Sequence, residues 1–119
     1  MEYVQAQRFR LRFRQEVERL FDQVDMLLTP TLPFTAPPMK TTEIKITEDL
    51  TVSTLSGNMK YTAIPSMSGT PAMSIPIGFD EDMMPIGMQI IVPAYHEERA
   101  FAFAKTYQKL TDFHKQYPL

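Results

Sequence analysis

The sequence predicts an α/β fold in which helices cover a β-sheet, and three patterns carry that prediction. Apolar residues recur at spacings of three and four in residues 2–24 and in residues 97–113, which is typical of amphipathic helices. Between these segments lie two apolar runs of strand length, residues 72–79 and 85–92, joined by the acidic turn "DEDMM". With 44% hydrophobic and 22% charged residues, the 119-residue chain has the composition of a single globular domain.

The first predicted helix has a face on which arginines and acids are interleaved. Arg12 and Glu16, and likewise Arg14 and Glu18, stand four residues apart and can pair along the exposed side. RNA binding is the alternative, but arginines at every second position do not share one helix face, and no aromatic stacking platform accompanies them. A solvated face is the better interpretation, so no nucleic-acid partner is expected. Affinity that falls steeply with salt would favour the alternative.

The middle of the chain alternates short strands with proline-rich segments. Residues 25–29 form a short apolar run that a proline stops, which favours a buried strand. Four prolines within residues 30–39 remove backbone donors and predict a loop that crosses a surface. Residues 40–55 alternate well enough for an exposed strand or hairpin. Residues 58–64 predict a short helix that ends before Pro65.

The last two strands and the last helix differ in their predicted surroundings. Pro76 assigns part of residues 72–79 to an edge or irregular position. Residues 85–92 are apolar at nearly every position, which predicts a strand buried on both faces. The C-terminal helix has acids in its first turn and lysines toward its end, as the helix dipole favours. Its apolar stripe consists of Ala100, Phe103, Ala104, Tyr107 and Leu110.

No self-contained active site is evident in the sequence. The absence of cysteine excludes disulfides, thiolate catalysis and thiolate metal sites. The serines lack both a G-x-S-x-G setting and a neighbouring base to activate them. His96 and His114 flank the last helix too far apart to share a metal, and both are interpreted as solvated helix-end residues. Catalytic residues, a metal site and a cofactor are therefore not expected.

Bulk properties predict a cytoplasmic protein without a membrane partner. Met1 is followed by Glu2 and an arginine-rich stretch rather than by the apolar core of a signal peptide. The apolar runs are all too short to span a bilayer. The net charge of −2 favours neither a nucleic-acid binder nor a surface that seeks acidic partners.

Three motifs occur in order along the chain. They are "VDMLLTPTLP" at 24–33, "TAIPSMSGTPAMSIPIG" at 62–78 and "MMPIGMQ" at 83–89. The first is similar to an aspartate and short apolar strand ending in Thr-Pro. The others match most of Thr-x-x-x-Asn-Leu-x-Gly-x-Pro-Ala-x-Ser-x-Pro-x-Gly and of Gly-x-Pro-x-Gly-x-Gln. Together they resemble the C-terminal part of the amidase signature family, which includes the A subunit of glutamyl-tRNA(Gln) amidotransferase.

The resemblance implies a partial amidase-signature fold, with strands of a mixed β-sheet flanked by N- and C-terminal helices in one domain, residues 1–119. Glycine within its second strand permits close backbone approach, and the Gln89 amide can satisfy backbone groups of a loop. The residues that match the structural motifs are Thr29, Pro30, Gly69, Pro71, Ser74, Pro76, Gly78, Pro85, Gly87 and Gln89.

The resemblance also implies a function without a catalytic residue in this chain. The family's Ser–Ser–Lys triad lies earlier in the family sequence and has no counterpart here. Phe34, Tyr61, Thr62 and Ser66 are the implied substrate-pocket residues, and Met59 stands where the amidotransferase branch usually has an aspartate that helps hold glutamine. The chain is thus expected to serve carboxamide hydrolysis or glutamine-amide transfer as scaffold and one pocket wall. Its expected partner is a missing N-terminal amidase half or a second copy; the alternative is a non-catalytic interaction domain.

Overall fold

Three α-helices and five strands lie along residues 2–116, the part of the chain that the computed structural model describes. The helices are α1 (Glu2–Leu20), α2 (Thr54–Ser68) and α3 (Glu97–Leu110), and a short 3-10 turn follows at Phe113–Lys115. The strands are β1 (Leu27–Pro30), β2 (Glu43–Thr47), β3 (Leu50–Ser53), β4 (Ala72–Phe79) and β5 (Pro85–Ile91). The predicted α/β class, with helices at both ends of the chain, is confirmed.

β5 is the central strand of a three-stranded sheet with the order β1–β5–β4. Both of its pairings are antiparallel, and Gln89 stands opposite Thr29 on one side and Ser74 on the other. β2 and β3 pair as a separate antiparallel hairpin, which confirms the hairpin predicted for residues 40–55. The most continuous apolar run of strand length therefore lies at the centre of the main sheet.

α3 packs with β4 and β5 to form a small core. Phe103 and Tyr107 lie against this core and confirm most of the predicted stripe. The prediction that Leu110 belongs to this stripe is wrong, because Leu110 lies near the end of the helix and is 80% exposed. The buried cluster consists of Ile75, Ile90, Val92, Ala100 and Ala104.

Helix α1 carries one of its two predicted ion pairs. Arg14 and Glu18 lie 2.7 Å apart, as their spacing predicts. Glu16 instead pairs with Arg19 at 2.7 Å, so the predicted pair with Arg12 is wrong. Both observed pairs are largely exposed, and each contributes at most about 1 kcal/mol to stability.

The predicted end of α1 near residue 24 is also wrong, because the helix ends at Leu20. The next three amides bond to carbonyls only three residues back, which tightens the chain into turns. Arg10 Nε donates a hydrogen bond to the carbonyl of Met67 at 3.0 Å. This contact joins the arginine-rich helix to the end of α2, which gives one of its arginines a structural role.

α2 continues through Pro65, so the prediction of a short helix over 58–64 that ends before this proline is wrong. Proline has no N–H to donate to the carbonyl of Tyr61, four residues earlier. The side-chain amide of Gln89, on β5, donates to that carbonyl at 3.2 Å instead. Because the sheet supplies the missing donor, the helix tolerates its internal proline.

Both ends of α2 have side-chain or backbone caps. Ser53 precedes the helix in an extended conformation, and its hydroxyl accepts a hydrogen bond from the amide of Ser56 at 3.1 Å. Gly69 follows the helix in the left-handed region at φ 74°, which glycine adopts without strain, and its amide donates to the Pro65 carbonyl at 2.8 Å. The family-motif glycine at this position therefore terminates a helix as well as preceding a strand.

Two predictions of strand burial need correction. β1 is an edge strand with alternately half-buried and exposed residues, not the buried strand predicted at 25–29. β5 is buried only from Gln89 onward, so burial on both faces over 85–92 is wrong for its first half. The reason is that Pro85, Ile86 and Gly87 border an open cleft.

The two histidines have different surroundings. His96 is exposed at the start of α3, as predicted, and its Nδ1 lies 3.1 Å from Glu98, a hydrogen bond that lowers the pKa of that carboxyl group. His114 is half-buried, and its Nδ1 has no hydrogen-bond partner within residues 2–116, so its predicted solvation is wrong. The neighbouring Phe113 packs edge-on against Phe79, which draws this short turn onto β4. None of the helices in the described residues combines the length and the apolar character needed to cross a bilayer.

Candidate functional site

A cleft of about 690 Å³ lies where the proline-rich loop crosses the main sheet. The loop supplies Pro30 to Ala36, α2 supplies Lys60 and Tyr61, and Ile46 of the β2–β3 hairpin reaches its margin. The floor comes from β4 and β5, at Ser74, Ile75, Pro76, Pro85, Ile86 and Gly87. Its volume is that of a small-molecule site, and its lining is mostly apolar.

Phe34 forms part of the cleft wall because α2 has a glycine where the phenyl ring lies. Gly57 is buried, and a Cβ atom built there would overlap Cε1 of Phe34 and lie 2.9 Å from its Cζ. Any larger side chain at this position must displace the ring. Gly57 therefore fixes one wall of the cleft, although it belongs to none of the recognised motifs.

A second close contact joins the loop to the floor of the cleft. The hydroxyl groups of Thr31 and Ser74 lie 2.5 Å apart, and the amide of Thr31 donates to the carbonyl of Gly87 at 2.9 Å. A Cβ atom on Gly87 would lie 2.8 Å from Thr31 Oγ1 and 3.0 Å from Ser74 Oγ. The motif residues Ser74 and Gly87 thus hold the loop against the sheet through hydrogen bonds and close packing.

Gln89 links three elements beneath the cleft. It is 4% exposed, and its Nε2 donates to Thr29 Oγ1 at 3.1 Å and to the Tyr61 carbonyl at 3.2 Å. These bonds connect β5 to β1 and to the proline-containing helix. The expected role of this amide in satisfying backbone groups therefore has a counterpart in the structure, on a helix rather than on a loop.

The acidic turn is tied to the proline-rich loop by one carboxylate. Asp80 Oδ2 accepts a hydrogen bond from the Thr35 hydroxyl at 2.5 Å, and Oδ1 accepts from the amides of Asp82 and Met84 at 3.0 and 2.8 Å. The Thr35 bond first, and then these backbone bonds, lower the pKa of Asp80. Met83 adopts a left-handed φ of 60° in the same turn. The turn is thus shaped by hydrogen bonds to one carboxylate.

The four predicted pocket residues separate into two groups. Phe34 and Tyr61 line the cleft. Thr62 and Ser66 lie on α2 outside its lining, and their hydroxyls donate to the carbonyls of Asn58 and Thr62 at 2.7 and 3.1 Å. The assignment of all four to a substrate pocket stays a prediction, and the geometry brings only two of them to one cavity.

The described serines have partners that do not activate them. Ser68 donates to the Ile64 carbonyl and bonds to Thr70, while Ser53 and Ser56 bond to each other. Within residues 2–116, these hydroxyls form hydrogen bonds only with other hydroxyls or with backbone groups, so none is paired with a base. The same residues contain no cluster of three or more His, Asp or Glu side chains that could hold a metal ion.

Sequence reasoning missed Thr31 and Lys60 as cleft residues, and it missed Gly57 as the residue against which the Phe34 ring packs. Gly57 gave no signal of close packing, because it lies just outside the helix predicted for residues 58–64. Nothing in the sequence indicated that Thr31 and Lys60 share a cleft, because only the path of the loop and the extension of α2 bring them to it. Residues far apart in sequence thus form the cavity.

The fold and the contacts between the motif residues point to one protein family. The amidase family model matches residues 1–101, and the chain belongs to the amidase family. Within that family, the chain is similar to the A subunit of glutamyl-tRNA(Gln) amidotransferase from Gloeothece citriformis (strain PCC 7424), with 40% identity over 116 residues. The same subunit from Aliarcobacter butzleri (strain RM4018) is 34% identical over 113 residues. The matches cover 98% and 95% of this chain but only 23% of each relative.

Solved structures likewise match most of this chain to a small part of a longer protein. A structure described as a vestigial protein complex that reveals the evolutionary origins of an s-triazine catabolic enzyme superimposes with a TM-score of 0.87 and 29% identity, over 97% of this chain and 25% of that one. A 6-aminohexanoate cyclic dimer hydrolase gives a TM-score of 0.75 and 27% identity, over 88% of this chain and 23% of that one. The chain therefore spans about a quarter of the length of these relatives.

Proposed function

We propose that this chain is the C-terminal, non-catalytic part of an amidase-family hydrolase, and that residues 1–119 act as one structural unit within it. The unit contributes scaffold and one wall of the acyl pocket, with the cleft beside Phe34 and Tyr61 as that wall. The parent enzyme hydrolyses a carboxamide or transfers the amide of glutamine through an acyl-serine intermediate, as the family resemblance implies. The Ser–Ser–Lys triad comes from the part of the fold that this chain lacks.

This proposal rests on the large solvent-accessible surface that the chain exposes for its mass. The accessible surface is 9052 Å² for 13.7 kDa, whereas a compact monomer of that mass exposes roughly 6,600 Å². The radius of gyration is 16.5 Å, against about 13.5 Å for a compact chain of this length. Such an excess supports a unit whose remaining surface is covered by something else.

The exposed groups support the same proposal. Both edge strands of the main sheet, β1 and β4, have one side unpaired within the described residues. Tyr3, Phe9 and Leu11 of α1 are 74%, 60% and 58% exposed, and Leu28 of β1 is 48% exposed. Unpaired strand edges and apolar patches both favour association. In the parent enzyme, the catalytic part would cover them.

We expect the chain alone to have no amidase activity. Its serines lack an activating base, so a carboxamide in the cleft meets no nucleophile. Turnover of simple carboxamides should equal that of buffer. Turnover that Ser66→Ala or Ser68→Ala abolishes would contradict the expectation, since both serines would then be catalytic.

A stand-alone, non-catalytic interaction domain is the second candidate, and the same uncovered surfaces favour it. Without a catalytic part, two copies can cover each other's unpaired strand edges at β1 or β4, most simply as a two-fold dimer. The sequence favoured a dimer that buries residues 85–92 or the last helix, but β5 is paired on both sides and has no edge to offer. We therefore expect the isolated chain to self-associate, which light scattering in solution measures. A strictly monomeric species at high micromolar concentration, with a well-dispersed NMR spectrum, would contradict this expectation. A cytoplasmic location stays a prediction from the sequence.

A further inference from the structure

The turn between β5 and α3 holds a tyrosine where glycine is the usual residue. The amide of His96 donates to the carbonyl of Pro93 at 3.1 Å, and Tyr95 is the third residue of this turn, with a φ of 65°. A positive φ at the third position of a turn favours glycine, because a side chain there crowds the backbone. Tyr95 therefore places conformational strain on the chain.

The path of the chain fixes this turn from both sides. Val92 is fully buried, and its amide donates to the carbonyl of Pro71 at 3.1 Å. Ala100, in the first turn of α3, is 4% exposed and belongs to the same core as Val92. Since both flanks are held, the backbone must reverse between them whatever residue stands at position 95. The strain thus comes with the tyrosine side chain, which the reversal itself does not require.

The Tyr95 ring lies in solvent. It is 90% exposed, and it belongs to neither aromatic pair among residues 2–116. It does lie near α1: the hydrogen bond and charge of Glu18 are the main causes that raise the pKa of Arg14, and the Tyr95 phenol adds to them. A strained residue that the surrounding fold holds in place is typical of a functional position.

The surface beside Tyr95 has the residue types of a protein interface. Leu11, three residues before Arg14 and hence its neighbour on the helix surface, is 58% exposed. Tyrosine and arginine are both enriched where interfaces bind most strongly. This surface lies within residues 1–101, which the amidase family model matches, and the chain covers only 23% of the related A subunit. The remainder of such an enzyme is therefore the partner that the family fold itself supplies.

We propose that Tyr95 anchors this unit to the rest of the parent amidase, with its ring in an apolar pocket of the missing part, beside Leu11 and Arg14. This inference rests on the proposed function and names the contact through which the unit docks. Burial of the ring offsets the backbone strain in the parent enzyme. The tyrosine is therefore destabilising in the isolated chain and stabilising in the assembled enzyme.

Thermal unfolding followed by circular dichroism, at one fixed protein concentration, tests the anchor in two settings. One is the 119-residue chain, and the other is a chimera in which this chain replaces the aligned segment of the A subunit from Gloeothece citriformis. We expect Tyr95→Gly to raise the midpoint of the isolated chain by about 2–4 °C, because it removes strain, and to lower that of the chimera by a similar amount, because it removes the ring. Tyr95→Phe keeps the ring and should change both midpoints little.

Met83→Gly is the matched control. Met83 is also exposed and has a positive φ, at 67% and 60°, but it lies in the acidic turn between β4 and β5. Glycine there should raise both midpoints. If Tyr95→Gly also raised both, the ring would contribute nothing to docking and the proposal would be wrong. A lower midpoint of the isolated chain would overturn it as well, since tyrosine would then not be strained.

Light scattering of the isolated chain separates the missing part from a second copy as the partner of the ring. If Tyr95→Gly converts a self-associated chain into a monomer, the ring anchors a second copy, and its assignment to the missing part is wrong. A folded but inactive chimera that Tyr95→Gly destabilises supports the anchor and contradicts the proposed function. An active chimera that the substitution stabilises does the reverse. A chimera that does not unfold cooperatively with tyrosine in place contradicts both.

Discussion

Replacing Gln89 with leucine is expected to lower the free energy of unfolding by about 1–3 kcal/mol, the cost of a part-buried backbone acceptor left without a donor. Leucine fills a similar volume but cannot donate to the Tyr61 carbonyl, which Pro65 already leaves without its helical partner. Urea unfolding followed by far-UV circular dichroism, at one fixed protein concentration, measures the loss. Gln15→Leu, on the exposed face of α1, is the matched control and should change stability little.

A second substitution identifies the mechanism of that loss. Pro65→Ala restores an N–H that can donate to the Tyr61 carbonyl, so the cost of Gln89→Leu should shrink when both changes are combined. A double-mutant cycle gives the coupling directly. If the two costs simply add, the Gln89 side chain stabilises the fold through packing, and its role in completing the proline-containing helix is wrong.

Replacing Gly57 with alanine is expected to destabilise the chain by up to about 2 kcal/mol net, because overpacking usually costs about 1–3 kcal/mol. The new methyl group would overlap the Phe34 ring, and this outweighs the gain of about 1 kcal/mol that alanine brings to a helix interior. Displacing the ring also removes one wall of the cleft, so binding of an apolar probe should weaken with it. Urea unfolding and equilibrium dialysis measure the two effects.

The matched control for Gly57→Ala is the same substitution in a Phe34→Ala background. With the ring absent, the methyl group has space, and alanine should then stabilise the helix by about 1 kcal/mol. The sign of the effect therefore reverses if Phe34 is the obstacle. Destabilisation of equal size in both backgrounds would show that Gly57 is required by the helix backbone and not by the ring.

The parts of this fold with regular periodicity were predictable from the sequence. Most of the apolar stripe of α3, the strand β5 and the β2–β3 hairpin follow from apolar spacing and alternation alone. α2 was mispredicted because proline stops most helices, and the compensating donor, Gln89, lies 24 residues beyond Pro65 in the sequence. Local rules have no access to a tertiary hydrogen bond of this kind.

The cleft was predictable only in part, for the same reason. Phe34 and Tyr61 were proposed from the resemblance, and both line the cleft. Thr62 and Ser66 lie on the same helix, but their hydroxyls are bonded to helix carbonyls and do not reach the lining. Which residues of a helix face a cavity depends on how its axis meets the sheet, and the motif pattern does not encode that angle.

The most direct test of the central claim is to transplant this chain into a related enzyme. In the glutamyl-tRNA(Gln) amidotransferase of Gloeothece citriformis, the aligned segment of the A subunit, which is 40% identical, would be replaced by residues 1–119. Hydrolysis of a panel of simple carboxamides, glutamine included, would then be measured for the chimera, for the relative without the segment and for the chain alone. We predict turnover by the chimera only. A chimera that unfolds in one cooperative transition yet hydrolyses none of the carboxamides would contradict the claim that this chain completes an amidase.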